Sequence, residues 1–510
     1  MQAGASDAAA DQERWSGGAA GLPYKWKAFW VISIAMFIMV MDFSVTSIAL
    51  PSIAKDFDLT LRVVSWVTIA ASLTITAFLL PLGRLADIAG RRRVHLSGVA
   101  LFCAGSLIAF FSASLPMLIG GRVVMALGAA MNQAVGMAIV TSVFPPEERG
   151  KSLGMITTVV GIGAIAGPIV GGPLVDIFSW RAVYLLLFAP SVFAFLLAFM
   201  VLDDARIGTV KRAKGVAYDW IGASSSAIFL SLMIFTISNP FDLPWTSPGV
   251  LAGAVIASAF LGVFVWWELR VDAPMISLRF FRSRQFTWSA VARLVGFLGT
   301  AASWFLMPFY LEDVLDYTPG TVGLVIFVGA FGMAATAFFS GRLSDRFGAR
   351  RFVLAGLALG VLAGLSFSTF KGDTSLWTIM PALLLNGVGQ GMWMAPNMSI
   401  TLGAVERSNY GIVSAFLNLL RNISSVSGTA IVTLIVVSVM VGRGVGADLG
   451  AVAGSGDPAA ANAFVAGMRI AFIMQSALLA LAFGAAFITR DATRVRRLAM
   501  PQPAGAGDGK

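Results

Sequence analysis

Apolar residues run through this chain in long blocks separated by short polar connections. Fourteen blocks approach or exceed the roughly 20 residues a helix needs to cross the hydrocarbon of a bilayer. They are 28–51, 63–83, 95–113, 116–143, 152–174, 181–201, 220–239, 249–267, 286–311, 322–340, 352–370, 376–402, 410–440 and 465–489. In lipid a single apolar segment pairs all its backbone groups only as a helix. The pattern therefore predicts an all-α polytopic membrane protein. Between the second and third blocks lies GRLADIAGRRRVHLSGVAL (83–101), and between the tenth and eleventh GRLSDRFGARRFVLAGLAL (341–359). Eleven of the nineteen positions are identical, at an offset of 258. Two related six-helix bundles follow, at 28–201 and 286–489. A linker at 202–285 carries two extra helices (220–239 and 249–267), and polar tails occupy 1–27 and 490–510. Repeated halves with a site between them are the plan of a secondary transporter.

Composition sharpens this picture. Hydrophobic residues make up 57% of the chain and charged residues 12%, against about 25% charge in soluble domains. Cys103 and His95 are single, so neither an intrachain disulfide nor a zinc site of the Cys/His kind is expected, and no cofactor or metal is called for. The net charge of +10 sits in short clusters between apolar blocks, which fits topology rather than nucleic-acid binding. One side of the membrane collects Lys25, Lys27, Arg84, Arg91, Arg92, Arg93 and further clusters through Arg497. The other holds Lys55, Arg62, Arg181, Lys371, Arg443 and Arg469. The positive-inside rule then puts both termini in the cytoplasm of a cell-membrane protein. Residues 1–24 lack the apolar stretch of a signal peptide. Residues 500–510 and most of 441–464 are rich in Gly and Ala and are expected to be poorly ordered. The GKS at 150–152 has Pro145 where a phosphate loop needs glycine, and one histidine builds no nucleophile-base pair, so an enzyme is not expected.

Asp42 is the most informative residue. It lies about 14 residues into the first block, roughly 20 Å along a helix. A carboxylate near mid-membrane costs about 2.5–3.5 kcal/mol on insertion scales and is a functional candidate by default. It is either a proton carrier or half of an ion pair with Arg122, at similar depth in the fourth block; the two roles are compatible. GIGAIAGPIVGG (161–172) spaces small residues for close helix approach, and Pro168 permits a bend. Asn386, Gln390 and Asn397 share one face of the twelfth block, and Asn418, Arg421 and Asn422 one face of the thirteenth. With Met39, Thr46 and Asn132 they are candidates to line a central cavity, with interhelical hydrogen bonding as the other reading. Phe43, Met125, Met131, Trp393 and Met394 would give that cavity a soft, aromatic character suited to apolar or cationic ligands. Glu312 and Asp313, after the ninth block at the outer mouth, are candidates to attract cations or exchange protons, though a solvated loop is the expectation, and Arg293 is expected to snorkel to the surface.

Four motifs carry a resemblance. They are MDFSVTSIALPSI (41–53), the repeated loop GRLADIAGRRR (83–93) with its echo GRLSDRFGARR (341–351), LIGGRVVMALGAA (118–130) and GAIAGPIVGG (163–172). In order, with fourteen helices, they resemble the major facilitator superfamily and its 14-helix drug:proton antiporter branch. Ser44 and Ser47 stand where the first motif usually has Thr and Asn, and Met125 and Ala126 where the third has Gln and Gly. The resemblance implies a proton-coupled antiporter that exports amphipathic or cationic drugs by alternating access. It assigns proton coupling to Asp42 and Arg122. It implies a cytoplasmic gate loop latching the halves, of Gly83, Asp87, Gly90, Arg91 and Arg92, with Gly341, Asp345, Gly348 and Arg350. It implies a fifth-helix antiport motif of Gly163, Gly167, Pro168, Gly171 and Gly172. Small-molecule substrate, protons and the lipid bilayer are the implied partners of a monomer. A metabolite or nutrient symporter or facilitator on the same fold, or a non-transporting membrane sensor, remains open.

Overall fold

The computed structural model describes residues 22–145, 148–207, 219–239, 243, 246–271, 278–406, 410–445 and 458–489; the side chains of Arg84, Asp87, Arg342 and Asp345 lie outside that description. The expected tails beyond Leu22 and Thr489, and most of the Gly/Ala-rich stretch before Pro458, also lie outside it.

Among the described residues fourteen long helices follow one another: α1 Tyr24–Phe57, α2 Leu61–Ala89, α3 Arg91–Phe110, α4 Leu115–Val143, α5 Arg149–Ile177, α6 Trp180–Val201, α7 Trp220–Ser238, α8 Pro248–Glu268, α9 Arg284–Phe309, α10 Pro319–Phe347, α11 Ala349–Phe367, α12 Leu376–Leu402, α13 Tyr410–Gly442 and α14 Pro458–Ile488. An even count returns the chain to the side it started from, called here the terminal side; the other is the far side. Thirteen are long and apolar enough to cross a membrane. The fourteenth, α12, falls short because Asn386, Gln390, Asn397 and two internal prolines dilute its apolar content, yet it packs among α9, α10 and α11 like the others. Several helices overrun the sequence-based limits. The 34 residues of α1 span about 51 Å at 1.5 Å each, more than the ~30 Å hydrocarbon core. α14 begins at Pro458 rather than 465, inside the stretch expected to be disordered, with proline at the position where its missing N–H costs nothing.

α1–α6 pack into one bundle and α9–α14 into a second. The halves meet through α5 against α10 and α2 against α13. With α1 corresponding to α9 and α5 to α13, those two seams exchange under a pseudo-twofold. α7 lies against both α2 and α13, and α8 packs on α7. Asp219 ties this pair, accepting from Trp267 Nε1 at 2.7 Å and from the Gly222 N–H at 2.9 Å.

The repeated loop has one backbone form in both copies. A single glycine joins consecutive helices, Gly90 at φ 99° and Gly348 at φ 95°. That region is closed to side chains bearing Cβ, which accounts for glycine at both places. Each glycine N–H closes the preceding helix, onto Ala86 O and Ser344 O. The apolar core is divided unequally. Toward the far side one cluster runs through both halves, from Ile48, Ile53 and Leu61 to Leu311, Val322 and Met440. Near the terminal side separate clusters belong to each half, one around Phe29 and Phe144 and another around Val353 and Trp393.

Candidate functional site

Asp42 faces the interior of the first bundle and is 9% exposed. Arg122 Nη1 of α4 donates to its Oδ1, and Thr46 Oγ1, one turn along α1, donates to the same oxygen at 3.3 Å. Arg122 is 2% exposed, and its Nε points at Val67 O of α2 at 3.5 Å. Tyr184 of α6, fully buried, lies in the same region. Four helices thus surround one acid and one base. A buried pair of this kind is held by mutual compensation: removing one partner strands the other, at a cost of about 3–5 kcal/mol.

The glycine motif of α5 backs directly onto this pair. A Cβ on Gly163 would lie 2.9 Å from Phe37 O, one on Gly167 would overlap Ser44 Oγ, and one on Gly171 would meet the Val45 side chain at 3.0 Å. All three contacts are on α1, within five residues of Asp42. Gly172 turns the other way: its Cβ would fall 2.6 Å from Pro319 O and 2.9 Å from Gly323 Cα of α10. The reciprocal Cβ on Gly323 would strike Pro168 O. α5 is therefore wedged between the helix that carries the acid and the opposite half.

The far side carries a second charged cluster that bridges the halves. Lys55 Nζ at the end of α1 lies 3.2 Å from Glu312 Oε1 and 3.3 Å from Asp313 Oδ1, and Ser52 Oγ donates to Glu312 Oε1 at 3.2 Å. Glu312 and Asp313 are 4% and 6% exposed. The expectation of a solvated loop is overturned: α9 continues into a widened π turn, Tyr310–Val314, which turns both carboxylates inward.

Residues 32–429 match the model of the Major Facilitator Superfamily. The chain belongs to that superfamily. It is 30% identical over 406 residues to the riboflavin transporter RibZ of Clostridioides difficile (strain 630), covering 80% of this chain and 87% of the relative. The multidrug resistance protein Stp of Mycobacterium tuberculosis (strain ATCC 25618 / H37Rv) is 28% identical over 399 residues, 78% of this chain and 73% of Stp. The lincomycin resistance protein LmrB of Listeria monocytogenes is 26% identical over 405 residues, 78% and 83% respectively. Among solved structures, a bacterial homolog of the human lysosomal transporter Spinster, inward-facing and unoccupied, superposes with a TM-score of 0.65. It covers 95% of this chain and all of that chain at 17% identity, a likeness of fold. The protein is a multi-pass membrane transporter of the superfamily, with two six-helix bundles and two extra helices between them.

Within this superfamily member three arginines of the repeated loop bond to their own bundles. Arg92 Nη2 donates to Phe199 O of α6 at 3.0 Å, and Arg350 Nη2 to Phe487 O of α14 at 2.5 Å. Each guanidinium also lies over the ring of that phenylalanine. Arg91 Nη1 donates to Ala138 O of α4 at 3.4 Å. These three bonds run inside a half. The carboxylates of Asp87 and Asp345 lie outside the described side chains. Gly83 has only Ala134 near its missing Cβ, at 3.8 Å, and Gly341 has open space.

The expected cavity residues divide. Thr46 belongs to the Asp42 cluster. Met39 is half-buried against the far-side core. Asn132 packs into the α3–α4 contact instead of facing a cavity: its Nδ2 donates to Gly128 O at 2.9 Å and occupies the space where Gly98 lacks a Cβ. Asn397 Nδ2 bonds Ser289 O of α9 at 3.2 Å. Gln390 Oε1 accepts from Trp304 Nε1 at 3.2 Å, while its Nε2 is buried without a partner beside a cavity of about 20 Å³ between α9, α10 and α12, room for one water. Asn418 and Arg421 are half-buried on α13. Arg293 does not snorkel. It is 5% exposed, and its Nε donates to Leu417 O at 3.1 Å.

Proposed function

We propose that the protein is a proton-coupled antiporter that exports an amphipathic compound across the cell membrane, with its terminal side, and so both termini, in the cytoplasm. One observation carries this reading: a buried acid, Asp42, whose compensating base Arg122 sits on another helix of the same bundle. A proton on Asp42 cancels one charge of the pair and leaves Arg122 to find other acceptors. Because α5 touches α1 beside Asp42 and also touches α10, a change at the pair reaches the boundary between halves 28–201 and 286–489. The 202–285 segment is an insertion between them.

The cycle then follows alternating access. The far side is sealed by Lys55 with Glu312 and Asp313 and by Gly172 with Gly323. Those contacts part when the far side opens, and Asp42 takes up a proton. The halves rock back, the proton leaves to the cytoplasm, and substrate binds. One charge crossing 100 mV supplies about 2.3 kcal/mol, a gradient of about fifty-fold. The excess of Lys and Arg on the terminal side supports the orientation, and the likeness to Stp and LmrB supports drug export. The 30% likeness to a riboflavin transporter favours a second reading, uptake of an aromatic nutrient by symport or facilitation.

Proteoliposomes holding a pH-sensitive dye separate these readings. Antiport moves protons opposite to a fluorescent amphipathic dye, symport moves them with it, and facilitation moves none. Asp42→Asn is expected to abolish proton-driven dye movement by ten-fold or more while leaving dye binding in place. Full activity in that variant overturns the coupling role.

A further inference from the structure

The second half contains charge that the coupling pair does not use. Arg293 of α9 and Arg421 of α13 are like charges near one another at the contact between those helices. Arg293 Nε is spent on Leu417 O, one turn before Arg421. Its Cζ lies 5.1 Å over the Phe297 ring, and its Nη1 is buried with no acceptor. Beside Arg421, Asn422 Nδ2 is likewise buried with no acceptor. Among the described residues no carboxylate lies within ion-pair distance of either arginine. The contrast with the first half is complete, since there Arg122 has Asp42.

Burial makes the arrangement costly: Arg293 is 5% exposed. Counted from the terminal-side ends of their helices, Arg293 and Arg421 lie about 14 and 17 Å along axes of roughly 46 and 50 Å at 1.5 Å per residue, about a third of the way in. A buried arginine inside a membrane bundle normally has an anionic or carbonyl partner. Below the charge, the same face of α9 carries Phe297, which packs edge-on against Trp393 at 5.0 Å, and then Trp304.

We infer that Arg293 and Arg421 form the binding site for an oxyanion on the cargo, a carboxylate or sulfonate on an aromatic body, so that the exported amphipath is an anion. This rests on the antiport reading for direction alone. It replaces the expectation of cationic drugs. An anion entering between the two arginines supplies the acceptor that Arg293 Nη1 lacks and relieves their mutual repulsion. The guanidinium fork suits a planar oxyanion, and the aromatic stripe suits the ring system attached to it.

Equilibrium binding in neutral detergent tests the site without any gradient, so Asp42→Asn leaves the result standing and a failure of antiport is seen separately. The probes are anilinonaphthalene sulfonate and phenylnaphthylamine, the same body without the sulfonate. Arg293→Gln and Arg421→Gln are each expected to weaken the sulfonate probe about ten-fold and leave the neutral one within two-fold. Arg421→Lys is expected to retain most of the affinity. Equal losses for both probes, or none for either, overturn the site. On the unmodified protein, naphthalene sulfonate should displace the probe and naphthylmethylammonium should not; equal displacement by the two overturns it without any variant. Displacement by phosphatidylglycerol at lipid-to-protein ratios near one assigns the arginines to a lipid headgroup and equally overturns a cargo site.

Discussion

Gly172 and Gly323 meet backbone to backbone across the boundary between the halves, with room on neither for a methyl group. Gly172→Ala is expected to force α5 and α10 apart at the far side. Overpacking of this kind costs about 1–3 kcal/mol, and in the proposed cycle the strain falls on the state with the far side closed. Thermal unfolding in detergent should show the loss, and dye transport should fall several-fold. Gly120→Ala, with nothing within 4 Å of its added Cβ, is the control and should be neutral or mildly stabilising.

The buried pair of the first bundle makes a prediction about stability alone. Arg122→Gln strands Asp42 and should cost about 3–5 kcal/mol. Adding Asp42→Asn to that variant removes the stranded charge and should recover much of the loss. A double variant less stable than Arg122→Gln, by melting in the same detergent, would contradict the pairing.

The two copies of the repeated loop should respond alike. Gly90→Ala and Gly348→Ala each place a Cβ at a φ near 100°, a region that costs of order 1–3 kcal/mol for residues other than glycine. Similar drops in melting temperature are expected. Indifference at one of them would mean that copy adopts another backbone.

Lys55 compensates two buried carboxylates of the other half. Lys55→Met should destabilise the protein, and Glu312→Gln should cost less in that background than alone. The lysine side chain is 43% exposed, so solvent screens its share. A coupling energy of order 1 kcal/mol is expected from the double-mutant cycle. A coupling of zero would mean the bridge does not hold the far side.

Much of this architecture could be read from the chain because lipid leaves few choices. A block of apolar residues becomes a helix, and the duplicated loop declares two halves. Asp42 and Arg122 were legible for the same reason: a charge at mid-membrane demands a partner, and depth along a helix is countable. Direction around a helix was not legible. A core-facing and a lipid-facing residue are both apolar here, so period carries little information. Asn132 therefore could not be told from a cavity residue until Gly98 was seen to make room for it. Glu312 and Asp313 look like loop residues because the sequence does not announce a π turn. Arg293, near a helix end in the sequence, looked like a surface residue until Leu417 O was found to hold it inside.

The placement of α7 makes the two seams unequal despite the repeat. It lies along the α2–α13 boundary, and no described helix covers the α5–α10 boundary in the same way. In the proposed rocking, the first seam moves against a helix of the same chain and the second against acyl chains. A molecule whose halves are copies of one another thus meets different friction on its two flanks.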